Sequence, residues 1–111
     1  MKTMVLVYIP FPDKESAQDF AKEALSLRLA ACANLLPQTE SLYFWEAELK
    51  NEKECILILK TLPSYYHKIL KFARKKHPYK VPAIIRIKAM VNNDYYHWVK
   101  NTLQSKNPKL K

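Results

Sequence analysis

Apolar and polar positions along this chain change their period several times, and each change marks a new element. Residues 4–9 (MVLVYI) form a continuous apolar run, rich in β-branched side chains, that meets Pro10 and Pro12; this predicts a buried strand. Asp13 is placed to cap a helix over 14–27. Ala17, Phe20, Ala21, Ala24 and Leu25 line one face of that helix, while Lys14, Gln18, Asp19, Lys22 and Glu23 cover the other. Residues 31–48 are β-rich but interrupted by Pro37, which cannot donate a ladder hydrogen bond and so predicts a bulge or an edge. Leu42, Tyr43, Phe44 and Trp45 carry the segment on as a long strand. The polar stretch Lys50, Asn51, Glu52 and Lys53 is short enough to close a hairpin, and 55–59 (CILIL) follows as an apolar strand.

Pro63 suits the first turn of a second helix, whose buried stripe is Tyr66, Ile69, Leu70 and Ala73. Pro78 ends it, because the residue before a proline is driven out of helical geometry. Residues 81–91 supply a fourth strand. Asn92 or Asn93 caps a last helix with Tyr95, Trp98, Val99, Thr102 and Leu103 on one side. The order strand, helix, strand, strand, helix, strand, helix is the split βαβ, or ferredoxin-like, α+β sandwich with an added C-terminal helix. At 111 residues the expectation is a single domain over 1–105, with 106–111 as a frayed basic tail.

Composition narrows the function. Glycine is absent, against an average usage of about 7%, so the glycine-dependent phosphate cradles of nucleotide-binding folds are excluded. Turns needing a left-handed residue must then use asparagine or aspartate, with Asn34, Asn51, Asn92, Asn93 and Asn107 as candidates. No apolar run approaches the roughly 18 to 20 residues that span a bilayer, and the start lacks a cleavable leader's features. The expected protein is soluble and cytoplasmic, with no membrane partner. Cys32 and Cys55 are too few for a disulfide scaffold and read as buried free thiols.

The net charge of +9 is unevenly spread: residues 1–59 carry −3 and residues 60–111 carry +12, with Asp94 as the lone acid of the second part. Such asymmetry raises the question of an anionic partner, of acidic and basic faces meeting in an oligomer, or of a solvated lysine-rich helix face. RNA-recognition domains of this topology need stacking aromatics and a glycine-bearing motif on their central strands. The string CILIL offers neither, which weighs against nucleic acid.

Three strings in fixed order, RLAACANLLP (28–37), SLYFWEAELKNEKECILILKT (41–61) and HPYKVPAI (77–84), together with Tyr95 and Trp98, resemble the CutA family, named for divalent cation tolerance. The resemblance covers nearly the whole chain. It implies a homotrimer, with sheets packed around a threefold axis and the long second strand pairing across the boundary. It implies a role in metal response, with Cu²⁺ or another divalent cation weakly bound, and no enzymatic activity; the alternative is a trimeric signalling or scaffold protein that binds a small anion or metabolite without a metal role. The implied ligand cleft between subunits draws on Trp45, Lys60, Thr61, His77 and Tyr79, beside Tyr43 and Glu54. His77 is the candidate metal ligand, with Cys32 behind it; an enzyme using His77 or Tyr79 as acid or base lacks an orienting carboxylate nearby in sequence. Some relatives have histidine at Lys76 and cysteine at Ile9; acidic residues often stand at Lys80 and Ala83, and a glycine usually at Ala47. These departures remove acidic ligands, add a cation and favour either an anionic ligand or a lost metal role.

Overall fold

The computed structural model describes residues 1–105, so the tail expected at 106–111 lies outside the described residues. The elements run β1 (Lys2–Phe11), α1 (Lys14–Ser26), β2 (Cys32–Trp45), β3 (Glu48–Thr61), a 3₁₀ turn (Pro63–Tyr65), α2 (Tyr66–Lys76), β4 (Ile85–Val91) and α3 (Asn93–Gln104). The four strands form one sheet in the order β2-β3-β1-β4, every pair antiparallel. This is the ferredoxin-like arrangement the pattern predicts, with α3 added.

Local signals act as expected at several joints. The Asp13 side chain accepts the Ser16 N–H at 2.7 Å and caps α1. That hydrogen bond holds the Asp13 carboxyl below its usual range. Pro63 opens the 3₁₀ turn, and the β2–β3 register shifts between Leu36 and Thr39, around Pro37. Pro10 lies inside β1 rather than at its end. It is tolerated there because β4 pairs with β1 only as far as Tyr8, so the missing donor faces no neighbouring strand.

Three expectations are corrected. Residues 50–53 do not close the hairpin; they pair within it, Lys50 opposite Tyr43 and Lys53 opposite Glu40, and the turn sits at Glu46 and Ala47. The polar stretch reads as a turn only if both strand faces are assumed buried, whereas this part of β3 extends past the core. Left-handed backbone occurs at Arg28, Gln38, Glu46 and Ala47, not at the described asparagines; Asn107 lies outside the described residues. At Arg28 the reason is a Schellman cap, in which Arg28 N–H reaches Leu25 O and Leu29 N–H reaches Ala24 O, both at 3.0 Å. The fourth strand starts at Ile85 rather than Val81, because Pro78 and Pro82 hold the preceding residues in an irregular connection.

The main core lies between the sheet and α1 and α2: Val5, Val7, Ile9, Phe11, Leu57 and Leu59 meet Ala17, Phe20, Ala24, Ile69 and Ala73. On the opposite sheet face α3 covers one end, closing Val99 and Leu103 over Met4 and Ala31. The rest of that face stays open, with Leu36, Ile85 and Ile87 each exposed by more than two fifths. β1 pairs with β3 only from Cys55 onward, so residues 39–54 form a two-stranded ribbon beyond the sheet. Phe44 on that ribbon is 74% exposed, and Leu42 and Leu49 are exposed with it.

Candidate functional site

Alternation along the ribbon sends Tyr43 and Trp45 of β2 to the same face as Lys50, Glu52 and Glu54 of β3. At the foot of the ribbon, where β4 has ended, the 77–84 connection crosses Pro10 and brings Tyr79, Lys80, Val81 and Ala83 opposite them. Together these residues line an open cleft of about 380 Å³.

The connection is pinned at both ends. The Tyr66 hydroxyl donates to Ile84 O at 2.8 Å. At the other end the His77 ring stacks on Phe11, centroids 4.3 Å apart. Tyr79 N–H donates to His77 Nδ1 at 3.0 Å, which makes Nδ1 the acceptor and puts the ring proton on Nε2, 2.6 Å from Pro10 O. Burial holds the imidazole below its ordinary pKa, opposed in part by the Pro10 hydrogen bond and the Glu54 charge. The ring is therefore a neutral brace with both nitrogens engaged, and ligation of a metal requires giving up one of those bonds.

What the brace positions is Tyr79. Its hydroxyl donates to Glu54 Oε2 at 2.5 Å, and Glu54 is only 8% exposed. Burial, then the hydrogen bond and charge of Glu54, push the Tyr79 phenol far above its usual range. Tyr43 is shifted the same way, by desolvation and by Glu52 and Glu54. Both phenols remain donors at neutral pH. The cleft thus offers aromatic walls, a buried carboxylate already satisfied by a tyrosine, and the cations Lys50 and Lys80 at its rim.

Of the expected cleft residues, Trp45 and Tyr79 come together with Tyr43 and Glu54, and His77 stands behind them. Lys60 and Thr61 do not join them within the chain. They lie at the far end of β3, six and seven residues from Glu54, which is about 20 Å of strand. Thr61 is fully buried and donates to Leu29 O at 2.8 Å; Lys60 Nζ sits 5.5 Å from the Tyr95 ring centroid. Cys32 pairs opposite Lys60; burial, and after it Cys32, raises the Tyr95 phenol. Among the described residues no three His, Cys, Asp or Glu side chains gather closely enough to hold a metal ion. Pro10, Lys50, Glu52 and Val81 were not anticipated as cleft residues; the alternation Tyr43-x-Trp45 against Lys50-x-Glu52-x-Glu54 is the signal that reveals Lys50 and Glu52.

A ferredoxin-like sheet with an overhanging ribbon and a cleft at its foot defines a small α+β protein of one distinctive class. The family of CutA1 divalent ion tolerance proteins matches residues 5–102. The divalent-cation tolerance protein CutA of Pyrococcus horikoshii is 43% identical over 97 residues, 86% of this chain and 94% of that one. The protein of the same name in Escherichia coli is 38% identical over 103 residues, 92% of each chain. Among solved structures, CutA1 of Ehrlichia chaffeensis superposes with a TM-score of 0.89 at 34% identity, covering 95% of this chain and 99% of that one. CutA1 of Oryza sativa gives 0.85 at 34%, covering 90% and 93%. This chain belongs to the CutA1 family of divalent-cation tolerance proteins.

Proposed function

We propose that this protein works as a homotrimer in divalent-cation tolerance, and that its cleft binds a small organic anion with a flat apolar body rather than turning over a substrate. The lining of the cleft carries the reading: Tyr43, Trp45 and Tyr79 offer flat apolar surface, and Lys50 and Lys80 offer charge to a carboxylate or phosphate. Lys80 adds a cation where the resemblance leads one to expect an acid. Support for the trimer comes from the ribbon. Two strands alone are marginal in water, and burying one large apolar side chain is worth about 1.5 to 3 kcal/mol. Leu42, Phe44 and Leu49 on the ribbon and Ile85 and Ile87 on the open sheet face give sister chains that surface to cover. The free thiols Cys32 and Cys55 suit a reducing compartment such as the cytoplasm.

A divalent cation such as Cu²⁺ in the same cleft is the second reading, favoured by Glu52, whose exposed carboxylate lies on the Glu54 face. Metal and anion readings separate by titration calorimetry with Cu²⁺, Zn²⁺ and aromatic carboxylates, on the unaltered protein and on Trp45→Ala and Lys80→Ala. Saturable carboxylate heat that both substitutions remove is the expected result. Saturable Cu²⁺ binding insensitive to both, with no carboxylate signal, overturns the anion reading.

A further inference from the structure

Six cations of the second half lie together on one face of the molecule. Every charged residue of α2 is basic, and Lys68, Lys71, Arg74 and Lys75 are all exposed. Arg86 and Lys88 of the edge strand β4 pair with Val7 and Val5, whose side chains face the helices, so they extend the same band beyond α2. The Arg86 guanidinium lies 4.9 Å from the Tyr66 ring centroid, tying strand and helix portions together. At the C-terminal end of α2, Lys76 meets Glu23 of α1 at 3.8 Å. Among the described residues the six cations of the band form no ion pair.

Helix energetics do not account for this arrangement. Cations in the last turn are favoured by the helix dipole, which covers Arg74 and Lys75. Lys68 lies in the first turn, where the dipole opposes it, and Lys71 and Lys75 repel at a spacing of four. The face carries an exposed apolar side chain in Met90, on the Lys88 side of β4, but a single methionine is not the broad apolar face that an interfacial helix buries in lipid. Nor does it present a free aromatic for stacking on a base; Tyr65 and Tyr66 are half-buried beneath Lys68 and Arg86.

We infer that the α2–β4 face binds the phosphodiester backbone of nucleic acid without reading its sequence. The contacts come from the helix side of the sheet, not from the strand surface that RNA-recognition domains use. The proposal is independent of what occupies the cleft.

The test is fluorescence anisotropy with a short random-sequence DNA duplex across a salt series. If four of the six cations meet phosphates, log K falls against log[salt] with a slope of about −3.6, an affinity loss of about 150-fold between about 50 and 200 mM salt. The Lys71→Ala/Arg74→Ala variant flattens that slope by about 2, while Lys14→Ala/Lys22→Ala, the same loss of two charges on α1, leaves it unchanged. Alanine is a good helix former, and circular dichroism checks that both variants fold. No saturable binding at low salt, a slope near zero, equal effects of the α2 and α1 substitutions, or binding to phosphatidylglycerol vesicles in place of the duplex overturns the proposal.

Discussion

Replacing His77 by phenylalanine separates a bracing histidine from a metal ligand. The new ring retains the stack on Phe11 but can neither donate to Pro10 O nor accept from Tyr79 N–H. Each lost hydrogen bond is worth about 0.5 to 1.5 kcal/mol, with a further penalty where the abandoned partner stays dry. Since this region is half-buried, the two losses together come to about 2 kcal/mol. For a chain of this size that lowers Tm by roughly 8 to 16 °C. The assay is thermal unfolding at fixed protein concentration, read alongside Cu²⁺ calorimetry. Acid adds a second signature. Because the native fold holds this imidazole below its reference pKa of 6.5, the unfolded chain takes up the proton first. Its contribution to stability is therefore complete above about pH 6.5 and is lost as pH falls through the depressed native value; His77→Phe removes that part of the acid sensitivity. An unchanged Tm combined with abolished Cu²⁺ binding refutes the brace.

Tyr79→Phe leaves the buried Glu54 carboxylate without its phenolic donor and should cost about 1 to 3 kcal/mol in denaturant unfolding. Glu54→Gln removes a hydrogen-bonded charge that resists ionisation of Tyr79 and, less directly, of Tyr43, so ultraviolet-monitored alkaline titration should show both tyrosines ionising at lower pH than before. Ala47→Gly relieves a left-handed alanine at the ribbon turn, where φ is 66°. Left-handed backbone costs an L-residue about 1 to 2 kcal/mol, partly offset by the freedom glycine adds to the unfolded chain. A net gain of about 0.5 to 1 kcal/mol in denaturant unfolding is expected. Lys80→Glu should weaken carboxylate binding in calorimetry by about tenfold or more, the scale of one charge-assisted contact.

Much of the architecture is written in periodicity, because a residue that must be buried on one face of a helix or strand repeats at 3.6 or 2. That is why Ala17 to Ala24 and Ile69 to Ala73 declare their helices, and why Pro37 declares its bulge. The ribbon is harder to read. Over residues 48–53 neither face is buried by the chain's own core, so Lys50, Glu52 and Lys53 look like a turn, and two cleft residues are lost with them. The left-handed positions are hidden for a related reason: with no glycine available, Schellman and hairpin geometry impose the conformation on Arg28, Glu46 and Ala47 from outside. The cleft is partly legible, since Trp45 and Tyr79 are distinctive. His77 is as distinctive, but within the chain its ring is engaged by Pro10 and Tyr79. Lys60 and Thr61 follow Glu54 closely in sequence, but an extended strand carries them to the opposite end of the sheet.

The central claim is that the overhanging ribbon and open sheet face belong to an assembly, so that the cleft is finished by neighbouring chains. Sedimentation velocity at micromolar concentration tests it most directly. The account predicts one species at three times the 13.1 kDa chain mass. A well-folded species sedimenting at the mass of a single chain contradicts it.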